Sequence, residues 1–438
     1  MISFQPLISK HNSRLNTGRE LDIQIQTTNC SFIYEWDYNI DGGHDFIDEG
    51  KDVVVDGNGY AYFTGYVHDQ VTSYDVILIK YSQDGTELWK QFFKRGGASV
   101  EKGYAITADT QNNIYVTGEQ YANATYDYQV LLLKYDSNGQ KIWNQSWGGT
   151  GTEKGFDIVV SNGYIYITGT SDSAGTDDII ILKYDTDGNL IWSKIWDGGS
   201  NDISRGIVVA GNLIFIVGDS DSYTGGDLDV ILMKFLDDGN NAYLLWNKTW
   251  GGSNTEYGYD IGLDNDGYIY ITGYTESYGL GSSEIFLIKY NSDGNLIWAR
   301  LWGGLEWDRA YALTVDQEDN IYVTGATKSY PSFGYWSIII LQYDTAGNQP
   351  CHAIWGRFDY NYGYGIAVYE NNLYIAGRAN WAGVGNITFA KFRIPQQYSS
   401  AGPTNAIPGL EYPFTVFSLL VLTMIFLLIR RKNSIKIS

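Results

Sequence analysis

The stretch GYAITADTQNNIYVTGEQYANATYDYQVLLLKYDSNGQKIWNQSWGG, residues 103–149, is one complete unit of a repeat. GYAITAD (103–109) reads as a strand, and after a short polar turn NIYVTG (113–118) reads as a second. QVLLLKYD (129–136) is a third, and the turn SNG leads into a fourth, QKIWNQSW (140–147), before Gly148 and Gly149. Each run is short, rich in β-branched and aromatic residues, and bounded by Gly, Asn or Asp, as strands joined by tight turns are. The third is continuously apolar, so both of its faces are expected to be buried. In the fourth, Trp143 and Trp147 share a face, and Trp192/Trp196, Trp246/Trp250 and Trp298/Trp302 repeat that spacing.

The second strand recurs seven times: GYAYFTG at 59–65, NIYVTG at 113–118, GYIYITG at 163–169, NLIFIVG at 212–218, GYIYITG at 267–273, NIYVTG at 320–325 and NLYIAG at 372–377. The closing glycines are 53, 51, 49, 55, 52 and 52 residues apart, and a period near 50 marks a repeat architecture. Four short antiparallel strands per unit describe a β-propeller blade, so the fold class is all-β, a seven-bladed β-propeller. An open stack of blades would expose an apolar face at each end, which ring closure removes. The seventh unit has no fourth strand, because Pro395 follows its third. SFIYEW (31–36) lies before Gly42 and Gly43, where a fourth strand belongs, and is expected to complete the last blade.

Net charge is −21, from 50 acidic and 29 basic residues. Such a surface repels nucleic acid and anionic membranes, which excludes a nucleic-acid partner. The chain has two cysteines, Cys30 and Cys351, so no disulfide framework is expected to hold the fold, and a bridge between the two is the lesser expectation. Sequons at Asn29, Asn123, Asn144, Asn247 and Asn386 favour an exported protein mildly.

Residues 410–429 form an apolar run with one charge, Glu411, followed at once by Arg430, Arg431 and Lys432, with Tyr412 at the other border. This reads as a single transmembrane helix with a cytoplasmic tail. The chain then divides into an N-terminal extension (1–30), the propeller (31–394), a Pro/Gly/Ser-rich tether (395–409), the helix (410–429) and a basic tail (430–438). The propeller is expected outside the cell, although the first residues contain no apolar signal segment. Two explanations stay open: a start that lies further upstream, and a tail-anchored protein with a cytosolic propeller.

The repeated pattern GG-x-x-x-[DE]-x-G-Y-A-I-x-x-D, GN-x-Y-V-T-G, KY-x-x-x-G-x-x-x-W resembles the seven-bladed β-propeller repeat family abbreviated SBBP, over residues 31–394. The resemblance implies an exported or surface-attached protein of a bacterium or archaeon. Pro408, Gly409 and Leu410 before an apolar helix and two arginines resemble an archaeal PGF-type C-terminal sorting signal, with Leu410 in place of Phe. That likeness implies exchange of the helix for a lipid anchor. Turns such as SQDGTELW (82–89) are superficially similar to sialidase Asp-boxes and to quinone-dehydrogenase docking repeats, but they lack the Asp-box spacing and serve as hairpin turns.

Two sets of residues are candidates for function. The loops from second to third strand vary most and are rich in Tyr, Ser, Asp and Gly, which suits recognition. Tyr74, Tyr128, Asp178, Tyr223, Asp229, Glu284, Trp336 and Trp381 are the expected contacts, with a protein or a glycan as partner. Asp48, Glu101, Glu153, Asp202, Glu256 and Asp308, with Asn361 in the seventh unit, recur before each first strand. They form an acidic ring whose expected role is structural, accepting backbone N–H groups. DNDG (264–267) and DSDS (219–222) are partial calcium-loop patterns without the bidentate Glu, so Ca²⁺ is a minor expectation and no other cofactor or metal is expected. His11, His44, His68 and His352 show neither metal spacing nor a nucleophile. The reading is a surface recognition or scaffold module rather than an enzyme; a glycan hydrolase or lyase with its site in the axial funnel is the alternative.

Overall fold

The computed structural model describes residues 24–27, 32–40, 47–68, 74–95, 99–121, 127–223, 227–330, 335–349, 351–356, 360–381 and 384–394. The expected tether, membrane helix and basic tail lie outside these residues, as does most of the N-terminal extension. Among the described residues no helix is long and apolar enough to cross a membrane.

Seven antiparallel sheets make a seven-bladed propeller. Blade one comprises Glu49–Val55, Ala61–His68, Tyr74–Tyr81 and Glu87–Phe93. Blades two to five follow with the same order, beginning at Glu101, Glu153, Asp202 and Glu256. Blade six (Asp308–Val315, Ile321–Thr327, Ser337–Tyr343, Cys351–Gly356) carries a fifth strand, Gln24–Thr27, paired to its outer edge from Gln24↔Gly356 to Thr27↔Ala353. That strand falls in the segment read as an N-terminal extension outside the propeller, and a four-residue run without periodicity gives no sequence signal. Blade seven (Asn361–Tyr369, Asn372–Trp381, Val384–Arg393) has Ile33–Ile40 at its outer position, paired from Ile33↔Arg393 to Ile40↔Ile387.

The core is divided among the seven joints between blades. At the joint of blades one and two, Tyr62, Val76 and Leu78 pack on Ile106, Val116 and Leu131. The joint of blades seven and one brings Phe63 to within 4.3 Å of Phe389, ring centre to ring centre. The continuous third strands are buried on both faces; Leu131, Leu132 and Leu133 are wholly inaccessible. Burial of each such leucine stabilises the fold by roughly 1.5–3 kcal/mol.

The recurrent T-G has a steric cause. Every first strand carries a bulge, in blade two between Gly103 and Ala105. The bulge brings the Lys102 carbonyl over Gly118, where a Cβ would sit 1.8 Å from that oxygen. Only a glycine fits so close an approach. The preceding threonine ties the strand to its other neighbour, with Thr117 Oγ1 donating to Leu131 O at 2.9 Å.

Cys351 is in a disulfide, against the lesser weight given to a bridge, and Cys30 is the only other cysteine of the chain. Cys30 itself lies outside the described residues.

Candidate functional site

The first strands stand side by side around the axis, each packed against the first strands of both neighbours. Their bulges decide what faces the channel, because a bulge leaves one residue unpaired and re-aims its side chain. The bulged residues are Lys51, Tyr104, Phe156, Arg205, Tyr259, Tyr311 and Tyr364. They touch one another around much of the ring. Lys51 Nζ lies 4.2 Å from the Tyr364 ring centre, Tyr364 5.2 Å from Tyr311, and Tyr311 5.1 Å from Tyr259. Arg205 stacks on Tyr259 at 4.9 Å, and Tyr104 on Phe156 at 5.8 Å. Burial pushes the phenols of Tyr104, Tyr311 and Tyr364 above the ordinary tyrosine range.

A second tier lies nearer the rim, formed by Glu49, Lys102, Tyr257, Arg309 and Tyr362 with the residues that follow the closing glycines. Each meets such a residue across the sheet: Glu49↔Tyr66, Lys102↔Glu119, Tyr257↔Tyr274, Arg309↔Ala326 and Tyr362↔Arg378. Tyr66 donates to Glu49 Oε2 at 2.6 Å, while Lys51 and Arg378 approach the same carboxylate at 3.2 and 3.6 Å. Burial works to raise the Glu49 pKa, but Lys51, Tyr66 and Arg378 outweigh it and hold the group below its ordinary value. Glu119 is shared by Lys102 and Lys154, each 3.4 Å away. Arg205 forms two bonds to Asp219, at 2.5 and 3.2 Å.

Below the collar, Asp52, Asp157 and Asp260 come from alternate blades. Each bridges to the next blade: Asp52 accepts Ile106 N at 2.9 Å, Asp157 accepts Ile207 N at 2.7 Å and Asp260 accepts Leu313 N at 2.7 Å. The receiving blades carry Ala105, Gly206 and Ala312 at the matching position, small enough to admit the carboxylate. Burial pushes Asp52 and Asp260 up to about 7 despite these bonds, and raises Asp157 as well.

The residues expected from sequence are distributed differently. Asp48, Glu101, Glu153, Asp202, Glu256 and Asp308 are almost wholly buried, and four of them cap the loops before their strands. Glu153 accepts Gly149 N at 3.1 Å, Asp202 accepts Gly198 N at 2.8 Å, Glu256 accepts Gly252 N at 2.8 Å and Asp308 accepts Gly304 N at 2.8 Å. Asn361 donates instead to the preceding blade, from Nδ2 to Trp336 O at 3.0 Å. Among the loop candidates, Tyr223 is exposed, lying over Trp196. Tyr74 packs on Tyr66, 5.3 Å away, and Tyr128 on Tyr121, 5.2 Å away. Trp336 joins the rim beside Tyr362, 5.5 Å away. Asp178 and Glu284 are buried, Glu284 accepting Leu280 N at 2.5 Å. Asp229 lies against Glu256; burial and then that carboxylate push it up to about 6. The side chain of Trp381 lies outside the described set. Among the described residues no cluster of His, Cys, Asp and Glu is arranged to hold a metal ion.

The sequence reading passed over the tier after the closing glycines and the bulged collar. A signal for them was present: within a repeat that keeps its frame, these positions hold Tyr66, Glu119, Thr170, Asp219, Tyr274, Ala326 and Arg378. On the opposite face a cavity of about 260 Å³ is lined by Asp266, Gly267, Tyr268, Asn291 and Ser292.

A family profile described as domain of unknown function (DUF5122) beta-propeller matches residues 265–296. No curated protein matches the sequence. Drosophila Plexin A, solved in complex with Semaphorin 1b, is similar in structure at a TM-score of 0.51 and 7% identity, over 84% of this chain and 88% of that one. The WD40 β-propeller domain of Doa1 is similar at 0.50 and 11% identity, over 84% and 98%. A protein of unknown function from Dyadobacter fermentans gives 0.47 and 10% identity, over 84% and 100%. At these identities the likeness is one of fold.

Proposed function

We propose that the chain is a recognition module of the cell surface, binding a protein or a glycan at the channel mouth and the loop face around it. One observation carries this reading: the blades repeat their framework, yet the rim breaks the repeat, with Lys102, Glu119 and Lys154 on one side and Arg309, Trp336 and Tyr362 on another. A constant framework whose side chains differ from blade to blade at one end of the axis is what a binding surface requires. Plexin A, solved with Semaphorin 1b, is a fold relative engaged with a protein partner.

In this proposal Ile33–Ile40 is the clasp of the ring, joining the start of the propeller to its last blade. Residues 410–429 anchor it, with the tail in the cytoplasm and the propeller outside. The disulfide at Cys351 supports an oxidising compartment. Protease added to intact cells tests the topology. Cleavage of the propeller with the tail protected is the expected result; full protection would place the propeller in the cytosol and overturn it.

The enzyme reading needs a carboxylate in the funnel that is free to move a proton. Asp52 and Asp260, at about 7, are the observation in its favour. Against it, both oxygens of each accept backbone N–H groups, and Glu49, Glu119 and Asp219 are held by cations.

A further inference from the structure

We propose that the mouth between blades five and seven binds an anionic saccharide, with Arg309 taking its carboxylate or sulfate; this rests on the recognition reading above and names its ligand class. The lining holds six cations, Lys51, Lys102, Lys154, Arg205, Arg309 and Arg378, against the three carboxylates Glu49, Glu119 and Asp219. Five of the six are committed: Lys51 and Arg378 share Glu49, Lys102 and Lys154 share Glu119, and Arg205 is fixed by Asp219. Arg309 forms no ion pair with any carboxylate among the described residues, and its buried Nε has no hydrogen-bond partner there.

Aromatic rings hold Arg309 instead. Its guanidinium lies 4.6 Å from the Tyr274 ring centre, 5.0 Å from Trp307 and 5.7 Å from Trp336. Rings on several sides fix the orientation of the planar group without neutralising it. A guanidinium so held presents its remaining N–H groups as a fork that fits a carboxylate or sulfate. In a chain of net charge −21, this is a local excess of positive charge at the end of the axis.

The surroundings select the rest of the ligand. Tyr335 and Tyr360 are each 45% exposed and lie beside Trp336 and Asn361, whose backbones are joined by Asn361 N donating to Trp336 O at 3.0 Å. Exposed phenol rings beside a half-buried indole offer flat apolar faces with polar ends, which suit the C–H face and hydroxyls of a pyranose.

The test is equilibrium binding by the full chain in detergent micelles to four probes: oligogalacturonate, dextran sulfate, neutral dextran and poly-glutamate. Binding of a carboxylated or sulfated saccharide at least about tenfold tighter than dextran is expected, and the preferred arm identifies the anion. Arg309→Gln should weaken that binding about tenfold with no change in Tm, as loss of a charge-assisted fork does, whereas Lys90→Gln on an outer strand should leave it unchanged. Should Arg309→Gln fail to fold, Tyr335→Ala and Tyr360→Ala serve in its place, with the same loss expected. Absence of binding to either acidic saccharide, or equal binding by Arg309→Gln, would overturn the site. Equal affinity for poly-glutamate would overturn the saccharide and leave an acidic polypeptide as ligand. Because surface exposure is read separately by protease on cells, failure here is distinguishable from failure of the cell-surface reading.

Discussion

Lys80 Nζ donates to the carbonyl oxygen of Ser137 at 3.0 Å, and Trp89 Nε1, beside it, donates to the same oxygen at 3.2 Å. Ser137 belongs to the turn between the third and fourth strands of the next blade. The arrangement recurs around the ring: Lys134 reaches Thr186 O at 2.7 Å, Lys234 reaches Ser292 O at 2.8 Å, Lys289 reaches Thr345 O at 3.2 Å and Lys391 reaches Gln83 O at 2.7 Å. The lysine and tryptophan of the repeat are therefore a clamp between blades, polar at its tip as well as packed along its stem.

The clamp has one stronger version. Lys183 meets a carboxylate, Asp237, at 2.6 Å, and both side chains are nearly inaccessible. Lys80→Met should cost about 1 kcal/mol, the loss of one hydrogen bond to a carbonyl that keeps Trp89 as a donor. Lys183→Met should cost more, about 3 kcal/mol, since it strands a buried carboxylate to which Tyr166 and Trp192 still donate. Denaturant melts of the two variants check the order; equal losses would show that the charge of Asp237 does not matter.

At the joint of blades six and seven the clamp is absent, with Gln342 and Cys351 in the lysine and tryptophan positions. Blade seven has no turn there to receive it, since its third strand ends at Arg393 and its outer strand starts at Ile33. The cysteine in the tryptophan position is the one found in a disulfide, and Cys30 lies three residues before Ile33. A covalent link in place of a polar clamp is the expected arrangement. Cys351→Ser, or reduction, should lower stability by about 2–5 kcal/mol. Thiol titration of the denatured, unreduced protein should find none free; two free thiols would refute it.

The deep aspartates set a pH dependence. Asp52 and Asp260 have folded pKa values near 7, well above those of an unfolded chain, so the native state binds their protons more tightly. Their contribution is fully present below the unfolded pKa and is lost as pH rises through about 7. Tm should therefore fall as pH rises from about 5 to about 8. Replacing both by Ala should reduce the slope, with Asp157 keeping its share, even as it removes the bridges to Ile106 and Leu313. A slope unchanged in the double variant would assign it to other groups.

The framework was legible because it repeats: turn residues, T-G and the apolar third strand recur at one period, and each has a local cause. The collar was not, because a bulge shifts register without changing composition. Tyr104 in GYAITAD reads as one more alternating strand residue until the register shows it unpaired. Asp178 and Glu284 misled for the opposite reason. They stand at the ends of variable loops but already belong to the third strands, where side chains turn inward. Gln24–Thr27 borrows its place from blade six and carries no periodic signal of its own.

The steric account of the T-G motif makes a sharp contrast between two glycines of one blade. A Cβ at Gly118 would meet Lys102 O at 1.8 Å and Lys102 C at 2.9 Å, backbone atoms fixed by the sheet, whereas a Cβ at Gly149 meets nothing within 4 Å. Gly118→Ala must push the first strand away or undo its bulge, and with it displace Tyr104 from the collar. A cost of about 3 kcal/mol or more is expected, in the range of backbone strain at special positions. Gly149→Ala should change stability by no more than about 0.5 kcal/mol. Urea unfolding of the two variants measures both. If Gly118→Ala melted like the parent, the bulge would not be held by that close approach, and the collar would need another explanation.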